Sequence, residues 1–201
     1  DQATGRAASD PGSCPRSPLA HWQEPILASH RNDGMAFGKR QKKGSATMLD
    51  QGTPAPAFKL PATGGKTLVS SKLRGKIVVL YFYPKDDTTG CTTEAKDFTA
   101  RADQFAAAGA VVIGVSPDGV AAHEKFAGKH GLTIELAADE DKTVAEAYGV
   151  WVEKSMYGRK YMGVERTTLL IDGKGVVREI WPKVKVAGHA RAVLDAVKAL
   201  K

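Results

Sequence analysis

At 201 residues and 21.4 kDa the chain has room for one ordinary domain with some sequence to spare, and a second compact domain is not expected. Its 42% hydrophobic and 25% charged residues are a globular composition, and no run approaches the roughly 18 consecutive apolar residues of a membrane-spanning helix. The net charge of +7 is mild, and the two cysteines, Cys14 and Cys91, are too far apart for a CxxC redox pair and too few for a disulfide framework or a Cys-rich zinc site.

Residues 1–47 hold seven Lys/Arg, four Asp/Glu, four Pro and five Gly with almost no apolar periodicity, which is a disordered composition. They are expected to form a disordered N-terminal extension, a candidate for non-native sequence ahead of a natural start at Met48, and the domain is assigned to residues 48–201. No stretch of the extension is apolar enough for a secretory signal, so a cytoplasmic location is expected. The run Lys39-Arg40-Gln41-Lys42-Lys43 reads as a solvated linker in preference to a nucleic-acid or localisation patch.

From about Thr53 short apolar runs alternate with helical periodicity, the pattern of an α/β domain. Residues 77–83 are apolar at both parities and predict a central strand covered on both faces, ended by Pro84. Ala95, Phe98, Ala102 and Phe105 then mark the inner stripe of a helix over about 91–108, with Gly109 as its stop. Residues 111–115 predict a second buried strand, and Ala122, Phe126 and Ala127 the inner face of the next helix. A short strand at 134–136 and a short helix at 143–148 follow. Residues 167–171 and 176–181, joined by Asp172-Gly173-Lys174-Gly175, predict an antiparallel hairpin. Ala190, Val193, Leu194, Val197 and Leu200 give a terminal helix its apolar face, with Lys198 and Lys201 at the negative end of its dipole. Lys183 and Lys185 alternate with Val184 and Val186, as in an edge or extended segment with one wet face.

Any cysteine chemistry in the domain starts from Cys91, which falls at the strand-to-helix junction. Unpaired backbone N–H groups and the dipole of a first helical turn favour an anion there, so thiolate character is expected. Composition alone favours an inert buried cysteine. The neighbours reverse that preference: Tyr81-Phe82-Tyr83-Pro84 through Glu94, with the spacing P-x-x-x-T-x-x-C, resembles the active-site segment of peroxiredoxins. The similarity runs from about Gly52 to the C-terminus and includes residues 166–172, 181–186 and Gly188-His189. It is closest in character to the peroxiredoxin Q subfamily, also called bacterioferritin comigratory protein.

The resemblance implies a thioredoxin-like fold, a central mixed sheet flanked by helices, which agrees with the elements read above. It implies a thiol-dependent peroxidase that reduces hydrogen peroxide and organic hydroperoxides through a sulfenic acid on Cys91. By the same resemblance Thr88 offers a hydroxyl to thiolate and peroxide, Arg166 stabilises the thiolate and orients the peroxide, and Pro84 shields the site from water. The backbone N–H groups of Gly90 and Cys91 complete the substrate pocket. Taken by position alone, Arg166 would be a rim cation and Thr88 a helix cap. Glu94 reads as part of a helix-start network and is left outside the catalytic set.

Two departures from the family pattern matter. Thr89 stands where many relatives have Pro before the Gly, and Lys96 and Ala127 stand at the places of resolving cysteines. The domain therefore has no resolving thiol, and the sulfenic acid must be recycled by an external one such as thioredoxin, glutaredoxin or a small thiol. His123, His130 and His189 are read as solvated or capping residues, not ligands, so neither metal nor cofactor is expected. Trp151, Tyr157 and Tyr161 are assigned to core cover in preference to the mouth of the site. No membrane partner is expected, nucleic acid is disfavoured, and the family resemblance implies a monomer. Two other functions stay open: a thiol-disulfide oxidoreductase, which would need a second cysteine nearby, and a non-catalytic thioredoxin-fold binding or holdase protein.

Overall fold

The computed structural model describes residues 48–156 and 158–200. The expected extension over 1–47, Tyr157 and Lys201 lie outside the described residues.

Nine strands and five α-helices are present among the described residues: β1 Lys59–Ala62, β2 Lys66–Val69, β3 Ile77–Phe82, α1 Thr89–Thr99, α2 Ala102–Ala107, β4 Ala110–Ser116, α3 Val120–His130, β5 Glu135–Ala138, α4 Thr143–Ala147, β6 Trp151–Met156, β7 Arg159–Val164, β8 Thr167–Ile171, β9 Val177–Trp181 and α5 His189–Ala199. Seven strands form one sheet in the order β2-β1-β5-β4-β3-β8-β9, with β3, β4 and β5 mutually parallel and the other pairings antiparallel. The sheet is mixed, as expected, and β6 and β7 form a separate two-stranded ribbon.

The apolar run of the central strand divides by parity. Val79, Tyr81 and Tyr83 join Phe98 of α1, Phe105 of α2, Phe126 of α3 and Val193, Leu194 and Val197 of α5 in one core. Val78, Leu80 and Phe82 join Leu60 of β1 and Val144 and Ala145 of α4 in the other. Each fully buried residue of this size stabilises the fold by roughly 1.5–3 kcal/mol, so β3, central in the sheet and buried on both faces, is the anchor from which the following loop departs.

Several expectations need correction. The helix expected over 91–108 starts at Thr89 and breaks at Arg101, whose φ of −115° and ψ of 8° leave the helical region. The Arg101 guanidinium donates to the Asp97 carbonyl at 2.9 Å and so satisfies a carbonyl that the end of α1 leaves free. Across the break the rings of Phe98 and Phe105 still meet at 5.8 Å. In α3 it is His123, not Ala122, that points inward with Phe126, and Ala122 is exposed. Leu200 lies past the end of α5 and is exposed, whereas Ala190, Val193, Leu194 and Val197 are buried as expected. The segment at 183–186 keeps the expected wet face, its lysines exposed and its valines half-buried, but lies outside any strand, with Lys183 at a φ of 49°.

Candidate active site

The sheet register brings the site together. Phe82, the last residue of β3, pairs with Thr167, the first of β8, so Arg166 arrives beside the point where the chain leaves β3 for the loop 84–88. The Arg166 carbonyl accepts from Val184 N–H at 3.0 Å, which ties its backbone to the segment after β9. The loop ends at Thr88, the N-cap of α1, whose carbonyl accepts the first intrahelical bond, from Thr92 N–H at 2.8 Å. The N–H groups of Thr89, Gly90 and Cys91 therefore have no acceptor within the helix and mark the electropositive end of its dipole.

Cys91, the third residue of α1, is 1% exposed. Arg166 Nη2 donates to its Sγ at 3.2 Å, and Arg166 Nη1 donates to Glu94 Oε2. One guanidinium thus bridges the thiol sulfur and a carboxyl group one helical turn apart. Gly90 makes this approach possible, because a Cβ at that position would stand 3.2 Å from Arg166 Nη2. Glu94 is as buried as the thiol, and that burial pushes its carboxyl up to about 7 against the pull of Arg166. Burial also works against the charge of Arg166, but Glu94 and Cys91 outweigh it and the guanidinium pKa is raised. His189 lies on the other flank, its Nε2 2.8 Å from Thr168 Oγ1 and its ring edge-on to Phe98 and Trp181. Burial, helped by Arg166, lowers it to about 4, so it is neutral at physiological pH and adds no competing cation.

The remaining expected residues are placed less tightly. Thr88 is exposed; its hydroxyl donates to the Lys85 carbonyl at 3.2 Å, and its oxygen accepts from no helix N–H. Pro84 is exposed at the start of the loop. Two of the histidines are not solvated: His123 is fully buried with Nδ1 2.7 Å from Asp86 Oδ2, and His189 is buried, whereas His130 ends α3 partly exposed with Nε2 2.6 Å from Asp87 Oδ1. No group of three or more His, Cys, Asp or Glu able to hold a metal occurs among the described residues. Trp151 packs partly buried against the core on the β1 side, while Tyr161 is exposed, so the two differ where one role was expected. A cavity of about 120 Å³ lined by Phe58, Val78, Tyr148 and Ile171 lies on the opposite sheet face from Cys91 and takes no part in this arrangement.

Glu94 is the residue that sequence reasoning undervalued. Cys91, Glu94, Ala95 and Phe98 are all buried on one face of α1, so a carboxylate at that spacing is committed to the interior and requires a cation. The Asp86–His123 pair was also missed, since 37 positions separate its members.

Comparison with known proteins agrees with this geometry. Residues 51–180 match the AhpC/TSA family. The chain is 46% identical over 150 residues to peroxiredoxin Bcp of Bacillus subtilis, covering 75% of this chain and 96% of that protein. It is 47% identical over 148 residues to peroxiredoxin Bcp of Xanthomonas campestris, covering 73% and 92%. Among solved structures, peroxiredoxin Q of Xanthomonas campestris aligns with a TM-score of 0.68 at 46% identity, over 71% of this chain and 90% of that one. A PrxQ mutant of Xylella fastidiosa aligns with a TM-score of 0.73 at 37% identity, over 77% and 98%. A further Xanthomonas campestris structure, with a TM-score of 0.69 at 45% identity over 71% and 91%, belongs to work on alkyl peroxide reduction by its bacterioferritin comigratory protein.

Proposed function

The chain belongs to the AhpC/TSA family, in its peroxiredoxin Q branch, and from that premise we propose a one-cysteine catalytic cycle carried by Cys91. Proteins of this family are thiol-dependent peroxidases, and so is this one; residues 48–201 contain one cysteine and hence no resolving thiol. The observation that carries the assignment to Cys91 is the 3.2 Å contact between its sulfur and Arg166.

In the first step the thiolate attacks the terminal oxygen of a hydroperoxide in line with the O–O bond. An S–O bond forms, the O–O bond breaks, and the electron pair leaves on the second oxygen, which takes up a proton as water or an alcohol. Negative charge moves from sulfur to the departing oxygen, so Arg166, held between Cys91 and Glu94, stabilises the charge at both ends of the transfer. The first-turn N–H groups of Gly90 and Cys91 add to that stabilisation, and the family resemblance assigns the Thr88 hydroxyl a hydrogen bond to the peroxide, for which it would leave the Lys85 carbonyl. Pro84 sets the direction of the chain as it leaves β3 and removes an N–H that would otherwise seek a partner. Cys91 sulfenic acid then condenses with an external thiol, releasing water, and a second thiol resolves the mixed disulfide.

Thioredoxin, glutaredoxin and small thiols all fit this requirement. The work on alkyl peroxide reduction by the Xanthomonas campestris relative supports organic hydroperoxides beside hydrogen peroxide as substrates. The catalytic unit is residues 48–201, acting as a monomer in the cytoplasm. No helix among the described residues is long and apolar enough to cross a membrane. Dithiol-disulfide exchange would need a second sulfur beside Cys91, which residues 48–201 do not supply. The full chain given hydrogen peroxide or an alkyl hydroperoxide consumes about one equivalent alone and turns it over repeatedly only with added thiol; disulfide reduction without peroxide consumption would replace this reading.

A further inference from the structure

We propose that His123 of α3 is a positioning residue for the oxidation of Cys91, acting through Asp86 on the loop that leads into α1. Asp86 is the middle residue of that loop, two before Thr88 and five before Cys91. Its side chain is 8% exposed and both carboxylate oxygens are taken: Oδ1 accepts from the Tyr83 hydroxyl at 2.7 Å, and Oδ2 lies 2.7 Å from His123 Nδ1. Its backbone N–H donates to Asp118 Oδ2 at 2.8 Å, and the same oxygen accepts from the Ser116 hydroxyl at 2.8 Å. The turn is therefore pinned to β3 through Tyr83, to the end of β4 through Ser116 and Asp118, and to α3 through His123.

The residue after Asp86 shows why a pin is needed. Asp87 has a φ of 58°, a left-handed conformation that a non-glycine residue adopts at a cost, and Thr88 follows as the N-cap. If Asp86 shifts, Asp87 can relax, and Thr88 and the first-turn N–H groups move with it relative to the Cys91 sulfur. His123 itself is fully buried, and its Nε2 has no hydrogen-bond partner among the described residues. With Nδ1 facing a carboxylate, Nδ1 carries a proton and donates it to Asp86. Packing alone would be served as well by a leucine at this position; what leucine lacks is the N–H that holds Asp86.

The inference rests on Cys91 being the oxidised thiol, so His123→Leu, His123→Asn and Cys91→Ser are compared in the full chain. Two readouts are taken: stopped-flow oxidation by hydrogen peroxide, and pH titration of the thiolate ultraviolet absorbance. His123→Leu lowers the second-order oxidation rate about tenfold, the scale expected when reacting groups are displaced by a fraction of an ångström. The thiolate titration stays in place, because Arg166 is untouched. His123→Asn, whose side-chain amide N–H can reach the Asp86 carboxylate, recovers to within about threefold. An unimpaired rate in His123→Leu, an equal loss in the two variants, or a thiolate titration that moves with the rate each overturns the inference. Cys91→Ser separates the two levels: if it is inert while His123→Leu reacts normally, only the inference fails. If Cys91→Ser itself reacts at the rate of the unaltered protein, the assignment of Cys91 fails and the inference falls with it.

Discussion

The two sides of Cys91 are built from different materials. On the helix side, Glu94 and the half-buried Arg166 form a salt bridge, with Glu94 1% exposed and the guanidinium shared with the sulfur. On the loop side, Asp87 reaches Lys129 and His130 at the surface, and only Asp86 turns inward to His123. Buried charge pairs act strongly on their neighbours, whereas exposed pairs are screened and contribute from nothing to about 1 kcal/mol. The contrast assigns the control of charge to the Arg166 side and the control of geometry to the loop.

The largest effect expected from breaking that division is at Arg166. Arg166→Ala removes the cation beside the sulfur, so the oxidation rate should fall by roughly 10²–10³-fold, the usual cost of losing one charge-stabilising donor. The thiolate titration should move to higher pH at the same time. A stopped-flow rate and a thiolate titration both unchanged in this variant would remove Arg166 from the chemistry.

Glu94 sharpens the comparison through pH. Its carboxyl is raised from 4.5 to about 7, chiefly by burial, so between those values the folded state holds a proton that the unfolded chain has lost. The stability it contributes is full below pH 4.5, declines as pH rises through 7 and is level above, a change on the order of 3 kcal/mol. His189 runs the other way: lowered to about 4, mainly by burial, it costs stability as pH falls from 6.5 toward 4. Between about pH 4.5 and 6.5 the two slopes oppose and nearly cancel in the unaltered protein, so urea unfolding of Glu94→Gln should show stability rising with pH across this range, the slope of His189 alone. A Glu94→Gln profile that keeps the pH dependence of the unaltered protein would remove Glu94 as a source of it.

The smallest effect is expected at Cys14. Cys14→Ser should leave both the first oxidation and thiol-supported turnover unchanged, because 77 positions separate it from Cys91 and closing so long a loop costs entropy without a preset approach. A dominant Cys14–Cys91 bridge within monomers, found by peptide mapping after one equivalent of peroxide, would contradict this.

What was legible in the sequence follows the same division. Residues 77–83 read as a central strand because apolar residues at both parities have only one good place in an α/β domain, and Cys91 read as reactive because a motif of local spacing frames it. The hairpin at 167–181 was legible from Asp172 and Gly175, whose carboxylate and positive φ close the turn. The β1–β2 hairpin was passed over although Gly64 and Gly65, both at positive φ, are an ordinary hairpin signal. The break at Arg101 was hidden because the apolar stripe continues across it while the backbone does not. His123 was misread for a different reason: its partner Asp86 lies on another element, and no spacing rule within a helix predicts a polar residue whose justification is a loop 37 positions away.

The central claim is that the sulfur held by Arg166 is the atom that peroxide oxidises. Its most direct measurement is stopped-flow mixing of the reduced full chain with one equivalent of hydrogen peroxide, followed by dimedone trapping and peptide mass spectrometry. The account predicts a single rapid phase with the trapped sulfenic acid on Cys91, and no such phase in Cys91→Ser. A rapid phase retained in Cys91→Ser, or a sulfenic acid confined to Cys14, would contradict it.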